Sequence, residues 1–316
     1  MKISPCIKTE VDVSERLSLF DLSELSPFDG PGLRTVVFFQ GCPLSCAWCH
    51  SPHSQSTISP LLFHEIFCTH CGFCVSACPH GVHEMVGEEH IIHREKCIHC
   101  GQCVAACPQS REGVKASALF LPTVQSDVHT LFEQIRPYLD LTKRSGGGIT
   151  LSGGEPLLQS EAAMKLLWLC KAHGYHTAVE SSGLMPLDRY KLLIPWVDVW
   201  LIGFRVTTGE VPPSKEAQVD RCLSLLHDAK AKILPRIPII PGFTNQTSVL
   251  EVITRLLNKY HLKHVDLNPW NDHFDVNYIH GGMELKMTKP STDIVEDATR
   301  EIKDHFKRLN FTIDEK

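Results

Sequence analysis

The spacing of cysteines constrains this chain more than any other feature. Of its 14 cysteines, 11 fall between Cys42 and Cys107 in a chain of 316 residues. They form three groups: Cys42-Pro-Leu-Ser-Cys46-Ala-Trp-Cys49, then Cys68-x2-Cys71-x2-Cys74-x3-Cys78-Pro79, then Cys97-x2-Cys100-x2-Cys103-x3-Cys107-Pro108. The last two are an internal duplication at an offset of 29 residues, CTHCGFCVSACPHG against CIHCGQCVAACPQS. The N-terminal MKISPCIKTEVDVSERLSLF has no apolar core and carries several acids, so a secretory leader is not expected. Without one, such cysteines read as metal ligands rather than disulfides. Cys170, within AAMKLLWLCKAHG, and Cys222 read as small buried hydrophobes, and Cys6 lies near a loosely held end.

The doubled run has the spacing of the bacterial ferredoxins, in which the fourth cysteine leaves its own loop and reaches the other cluster. That assigns Cys68, Cys71, Cys74 and Cys107 to one [4Fe–4S] cluster, and Cys97, Cys100, Cys103 and Cys78 to a second. Thiolates close every iron of both to substrate, so they suit electron transfer. Paired structural zinc sites are the competing reading, but these use C-x2-C pairs with a longer spacer. The first group has three cysteines and no neighbouring fourth. A cubane held there keeps one iron open, as a catalytic metal site must. His50 is either a fourth ligand or a polar wall beside it.

Leu33–Gln40 reads as a buried strand ending at Gly41, which places the first cysteine group on the loop after its C-terminal end. Residues 124–144 look helical. A glycine turn, a strand at Ile149–Leu151, a second glycine turn and a long helix follow. Strand-like runs at His176–Glu180, Val197–Ile202, Ala231–Ile240 and His264–Leu267 alternate with helical stretches such as Gln218–Ala229 and Thr247–Lys259. This alternation predicts an α/β fold with a mainly parallel sheet, as a partial barrel or an open sheet, with its chemistry at the C-terminal strand ends. Residues 1–60 and 119–316 would build that body, interrupted by the duplicated module at 61–118. Ser152-Gly153-Gly154-Glu155-Pro156 follows a strand directly. Its glycines expose backbone for close approach by a ligand, and Glu155 can accept from an ammonium; alone, the segment equally fits a plain turn. It is neither a P-loop nor a dinucleotide fingerprint. A net charge of −5 offers no basic footprint for nucleic acid, and no apolar run of about 18 residues exists to cross a membrane.

Together, Cys42-x3-Cys46-x2-Cys49 after one strand and Ser152–Pro156 after the next core strand resemble the radical S-adenosylmethionine (SAM) superfamily. Within it the chain is similar to the glycyl-radical-enzyme activating enzymes that carry a double ferredoxin insert. That likeness rests on Asp29-Gly30-Pro31-Gly32-Leu33-Arg34, on the insert behind the cysteine loop, and on Arg236-Ile-Pro-Ile-Ile-Pro241-Gly242. The resemblance implies a partial (β/α)6 barrel. It implies that Cys42, Cys46 and Cys49 hold a catalytic [4Fe–4S] cluster, the third in the chain, whose open iron takes the amino and carboxylate groups of SAM. Trp48 and His50 would lie near the adenosyl group, and Gly153, Gly154 and Glu155 would hold the amino group. Glu180-Ser181-Ser182-Gly183 would reach the ribose or a cation, and Arg236 would face the carboxylate or stabilise that wall.

Two segments depart from the family. Where it has Asp-x-Lys, this chain has Gly203-Phe204-Arg205, which keeps the positive charge and loses the carboxylate. Where it often has Leu-Pro-x-His, this chain has Asn268-Pro269-Trp270-Asn271, and Asn271 can hydrogen-bond a ribose but not titrate. The implied activity is that of an oxidoreductase. It cleaves SAM reductively to methionine and a 5′-deoxyadenosyl radical that takes a Cα hydrogen from a glycine of a partner enzyme. A flavodoxin or ferredoxin would supply the electron to a monomer in an anaerobic cytoplasm. The alternatives are a radical SAM enzyme acting on a small molecule or peptide, and a ferredoxin-like carrier, which leaves the three-cysteine site unexplained.

Overall fold

A computed structural model describes residues 13–111, 115–205 and 211–314; Cys6 lies outside them. Apolar, β-branched runs form a nine-stranded sheet. Seven strands run parallel and lie side by side in chain order: β2 (Arg34–Phe39), β4 (Gly148–Gly153), β5 (His176–Ser181), β6 (Val199–Gly203), β7 (Ile233–Pro238), β8 (His264–Asn268) and β9 (Thr312–Asp314). Two antiparallel strands extend the β2 edge: β1 (Arg16–Ser26) and, beyond it, β3 (Val124–Asp127). Helices α1 (Val128–Lys143), α2 (Ser160–Ala172), α3 (Leu187–Leu193), α4 (Pro213–Asp228), α5 (Thr247–Lys259) and α7 (Thr292–Arg308) join or flank these strands.

Side chains alternate across a strand, so each strand offers one set of residues to each face. Leu151, Val179, Trp200, Ile202, Ile237 and Val265 point to the helices and form one continuous core with them. The alternate set is polar at many positions: Arg34, Thr150, Ser152, Glu180, Arg236 and Asp266 are all buried. Buried polar groups survive only when partnered, and these partner one another, as described below.

The six expected strands are present, with ends differing by one or two residues. Three more complete the sheet. β1, RLSLFDLSELS, is half-exposed and mixes polar with apolar residues, so it carries no clean strand pattern. The expected helix over 124–144 starts only at Val128. Asp127 caps it by accepting from the Thr130 amide at 2.8 Å, and the residues before the cap pair with β1.

The cysteine-rich module has its own small core of Leu61, Cys74, Val82, Cys103 and Leu119. Two short sheets frame it, Leu62–Phe63 with Leu119–Phe120 and His83–Val86 with Glu89–Ile92. A short helix α6 (Val276–Gly281) clasps this module to the first cysteine loop. On the loop side, Asn277 donates to the His50 carbonyl at 2.9 Å and the Tyr278 hydroxyl to the Ala47 carbonyl at 3.5 Å. On the module side, Arg94 donates to the His280 carbonyl at 2.9 Å, and the rings of His64 and His280 stand 3.9 Å apart. No helix among the described residues is long and apolar enough to cross a membrane.

Candidate active site

The loop after β2 carries the three isolated cysteines at the C-terminal end of its strand. Gln40, buried at that end, donates through Nε2 to the carbonyls of His53 and Ser56 and accepts from the Ser59 hydroxyl, tying the loop's far end back to its start. Cys46 and Trp48 are buried against Ile240. Burial pushes the Cys42 thiol up to about 12, with nearby Glu155 adding to the effect. Burial pushes Cys46 up to about 11, partly offset by the Arg205 charge. Converging buried thiols of this kind ionise only beside a cation, so the donor set fits a thiolate-bound metal cluster.

Across the cleft stands Ser152-Gly153-Gly154-Glu155. Its glycines serve the protein's own packing: a Cβ at Gly153 would lie 2.4 Å from Phe39 N, and one at Gly154 would lie 2.2 Å from Gly41 O. The segment is laced to the cysteine loop through Gly154 N to Phe39 O at 2.9 Å and Glu155 N to Gly41 O at 2.8 Å. Glu155 is fully buried. Its Oε2 accepts from the Ser182 amide at 3.0 Å and hydroxyl at 2.8 Å. The Ser181 hydroxyl and Leu157 amide lie near enough to favour its ionised form but close no hydrogen bond to Oε1, which has no partner among the described residues. Burial dominates and raises the Glu155 pKa. A buried acceptor left open in this way fits an ammonium or amine donor.

Glu180 has the opposite character. Burial alone would raise its pKa, but the guanidiniums of Arg236 and Arg205 and the Ser152 hydroxyl outweigh it and hold the carboxyl at about 2. Oε2 accepts from Arg236 at 2.9 Å and from Ser152 at 2.9 Å, and Oε1 accepts from Arg205 at 2.5 Å. The Arg205 guanidinium also lies 5.8 Å from the Trp48 ring centroid, linking the two walls. Gly203 makes this possible: a Cβ there would sit 2.8 Å from Arg205 Nε. The guanidinium fills space that a side chain at 203 would take.

One sequence expectation takes the second of its two forms, and another needs correction. Arg236 does not face the cleft with a free guanidinium; it is consumed by Glu180, Asp266 at 3.2 Å, Asn268 at 3.0 Å, Asp29 at 3.4 Å and the Phe28 carbonyl at 3.0 Å. It stabilises the wall, the second of the two roles expected of it, with its charge met by three carboxylates of the protein. Asn271 is exposed, and its side-chain oxygen accepts the His273 amide at 2.9 Å in a local turn. It does not line the cleft, whereas Gln55 and Ser54, which sequence reasoning missed, do. The Asp29–Arg34 segment is structural. Arg34 is fully buried and donates to Thr150 Oγ1 at 2.5 Å and to the carbonyls of Pro31 and Ile149.

In the cysteine-rich module, Cys78, Cys97, Cys100 and Cys103 enclose one hollow, so the fourth cysteine of the first run joins three from the second. Burial raises Cys74 to about 11, and among its neighbours Cys107 and Cys68 add to the shift, which sets Cys107 beside the first run.

The family described as "4Fe-4S dicluster domain" matches residues 61–118. The choline trimethylamine-lyase activating enzyme of Oleidesulfovibrio alaskensis is 32% identical, over 82% of this chain and 85% of its own. This chain belongs to the glycyl-radical-enzyme activating enzymes. The isethionate sulfite-lyase activating enzyme of Desulfovibrio desulfuricans is 31% identical to this activating enzyme, over 89% and 91% of the two chains. A solved domain of a pyruvate-formate lyase-activating enzyme from Bacteroides vulgatus covers 53% of this chain and 98% of its own at 21% identity, with a TM-score of 0.38.

Proposed function

We propose that the cleft between the Cys42–Cys49 loop and the Ser152–Glu155 segment binds a [4Fe–4S] cluster and SAM together. The cluster would be held by Cys42, Cys46 and Cys49. The observation that carries this reading is that three converging thiols face a buried carboxylate whose Oε1 is unpartnered. When bound, the pair supplies the electron and the 5′-deoxyadenosyl radical with which an activating enzyme takes a Cα hydrogen from a glycine of its partner. The residues orient and enclose. Glu155, aimed by Ser182, accepts from the SAM ammonium. Arg205, held over Gly203 by Glu180, would supply a positive charge for the SAM carboxylate. Trp48 and His50 wall the adenosyl group, and the Gly153–Gly154 backbone sets the floor. Arg236 keeps Glu180 ionised and in place.

Further elements of the reading are supported by geometry. Seven parallel strands in chain order, with a polar inner face, favour an incomplete barrel interrupted by a double ferredoxin insert at 61–118. Two tetrads in the insert, Cys68, Cys71, Cys74 with Cys107 and Cys97, Cys100, Cys103 with Cys78, bring the clusters to three. These would relay electrons from a flavodoxin or ferredoxin to the Cys42–Cys49 site or help dock the partner; that donor, a monomeric state and a cytoplasmic oxidoreductase are what the resemblance implies. The partner is a glycyl radical enzyme. The test is anaerobic reconstitution followed by EPR of the reduced protein with and without SAM, then with candidate partners. The expected results are about 12 iron atoms per chain, a cluster signal that SAM perturbs, and a glycyl doublet on the partner. A reduced signal indifferent to SAM refutes the proposal.

A further inference from the structure

The insert is built twice, and its two halves differ where its own symmetry allows them to be compared. An offset of 29 residues carries Cys68 onto Cys97, Leu61 onto His90 and Phe63 onto Ile92. Phe63 pairs with Leu119, and Ile92 pairs with His83. His90 and His83 therefore stand in one half where Leu61 and Leu119 stand in the other. Both leucines are buried, and Leu61 lines the hollow enclosed by Cys78, Cys97, Cys100 and Cys103. The imidazoles face the other set of sulfurs. His90 Nδ1 lies 3.8 Å from Cys68 Sγ, and Nε2 lies 3.6 Å from Cys74 Sγ and 3.0 Å from His83 Nδ1. The Phe63 ring packs edge-on against His90, with centroids 4.7 Å apart, and fixes its plane. His83 is buried, and its Nε2 has no hydrogen-bond partner among the described residues. The tautomers that let His90 donate to Cys68 Sγ put its proton on Nδ1 and have Nε2 accept from His83 Nδ1–H, so Nε2 meets Cys74 Sγ without a proton between them.

We propose that His90, positioned by His83, donates a hydrogen bond to the Cys68 thiolate and makes the cluster on Cys68, Cys71, Cys74 and Cys107 the easier of the two insert clusters to reduce. A donor at a ligand sulfur stabilises the added negative charge of the reduced cluster and raises its potential. The leucine pair offers the other cluster no side-chain donor; the contact there is the His99 amide, 3.4 Å from Cys97 Sγ. An electron entering the insert therefore rests on the histidine side. This inference rests on the reading that the insert holds two cubanes.

The test is an EPR-monitored redox titration of the anaerobically reconstituted full chain and of its H90L, H90Q and H83L variants, with iron and zinc counted in each. Leucine is the choice the other half already makes at both positions, so the substitutions suit the packing. In the wild type the two insert clusters should titrate apart. H90L should shift the higher one tenfold or more toward the oxidised form, about 59 mV for a one-electron couple, and leave the other in place. H90Q keeps an N–H donor and should recover part of the shift, and H83L should move the same cluster in the same direction. Coincident wild-type midpoints, or unmoved midpoints in the variants at about 12 irons, overturn the inference alone. Loss of about four irons, or of one bound zinc, in H90L also overturns it, since Cys74, His83 and His90 lie close enough to chelate an ion and His90 would then be a ligand. About four irons in the wild type would remove the two-cluster reading itself, and this inference with it.

Discussion

Replacing Gly154 with alanine should empty the three-thiol loop while sparing the insert. The new Cβ would stand 2.2 Å from Gly41 O, where ordinary contact begins at 3.4 Å, so two backbone segments must part by about 1.2 Å. Neither is the yielding end of a side chain. The movement opens the hydrogen bonds from Gly154 N to Phe39 O and from Glu155 N to Gly41 O. At about 0.5–1.5 kcal/mol each, their loss costs roughly 1–3 kcal/mol, which is local damage rather than unfolding. Gly41, however, leads directly into Cys42, and metal–ligand distances tolerate only about 0.2 Å. The displacement is several times that tolerance. Iron after anaerobic reconstitution should fall from about 12 to about 8 atoms per chain, and the SAM-responsive EPR signal should vanish. Gly146→Ala is the control: its φ of 73° makes any side chain there more strained than one at Gly154, but no atom lies within 4 Å of its Cβ, so it should keep both readouts. A Gly154→Ala protein with full iron and an unchanged response to SAM would refute the reasoning.

Arg236→Met should destabilise the chain by about 3–5 kcal/mol in anaerobic urea unfolding, because it strands Glu180 and Asp266 in the interior; a loss below about 1 kcal/mol contradicts this. The same pair sets a pH dependence. Glu180 is held at about 2 against an ordinary 4.5, so its pairing stabilises the fold above about 4.5 and is lost as pH falls toward 2. Wild type and Arg236→Met should converge in unfolding free energy across that interval, and a constant gap would dismiss Glu180 as the source. Gly203→Ala should push Arg205 off Glu180 and weaken SAM binding several-fold in a direct binding titration, with little change in thermal midpoint; unchanged affinity counts against Arg205 as the carboxylate partner. Replacing Cys97 and Cys100 with alanine should slow reduction by a flavodoxin or ferredoxin and spare dithionite-driven SAM cleavage, whereas equal loss with both reductants would assign the insert a structural role.

The cysteine groups were legible because their chemistry lies in local spacing, and the strand before Cys42 because TVVFF is wholly β-branched and aromatic. Asp127 as a cap was also in plain view, as Asp-x-x-Thr, yet a helical period that ran through it hid the strand before it. The polar inner face could not be read this way. Asp29, Glu180, Arg236 and Asp266 come from four separate segments, and only the lateral order of strands shows that they meet. Period-two alternation says that each points to one face, but not which strand lies alongside. Asn271 failed for the converse reason. A family pattern assigned it to a ribose, while its nearest demand is the His273 amide two residues on.

The clasp made by α6 also sets a schedule. Asn277 and His50, which it joins, are 227 residues apart in the chain. At about 5–20 residues per second a ribosome takes roughly 10–45 s to make that stretch. The last of the eleven grouped cysteines is made about a quarter of the way through this interval, and for the rest of it the buttress behind Ala47 and His50 does not yet exist. Seating of the cysteine loop is therefore a closing act of biosynthesis, and a ribosome-arrested chain ending at Asp275 is expected to leave Cys46 open to alkylation that the finished, metal-free chain resists.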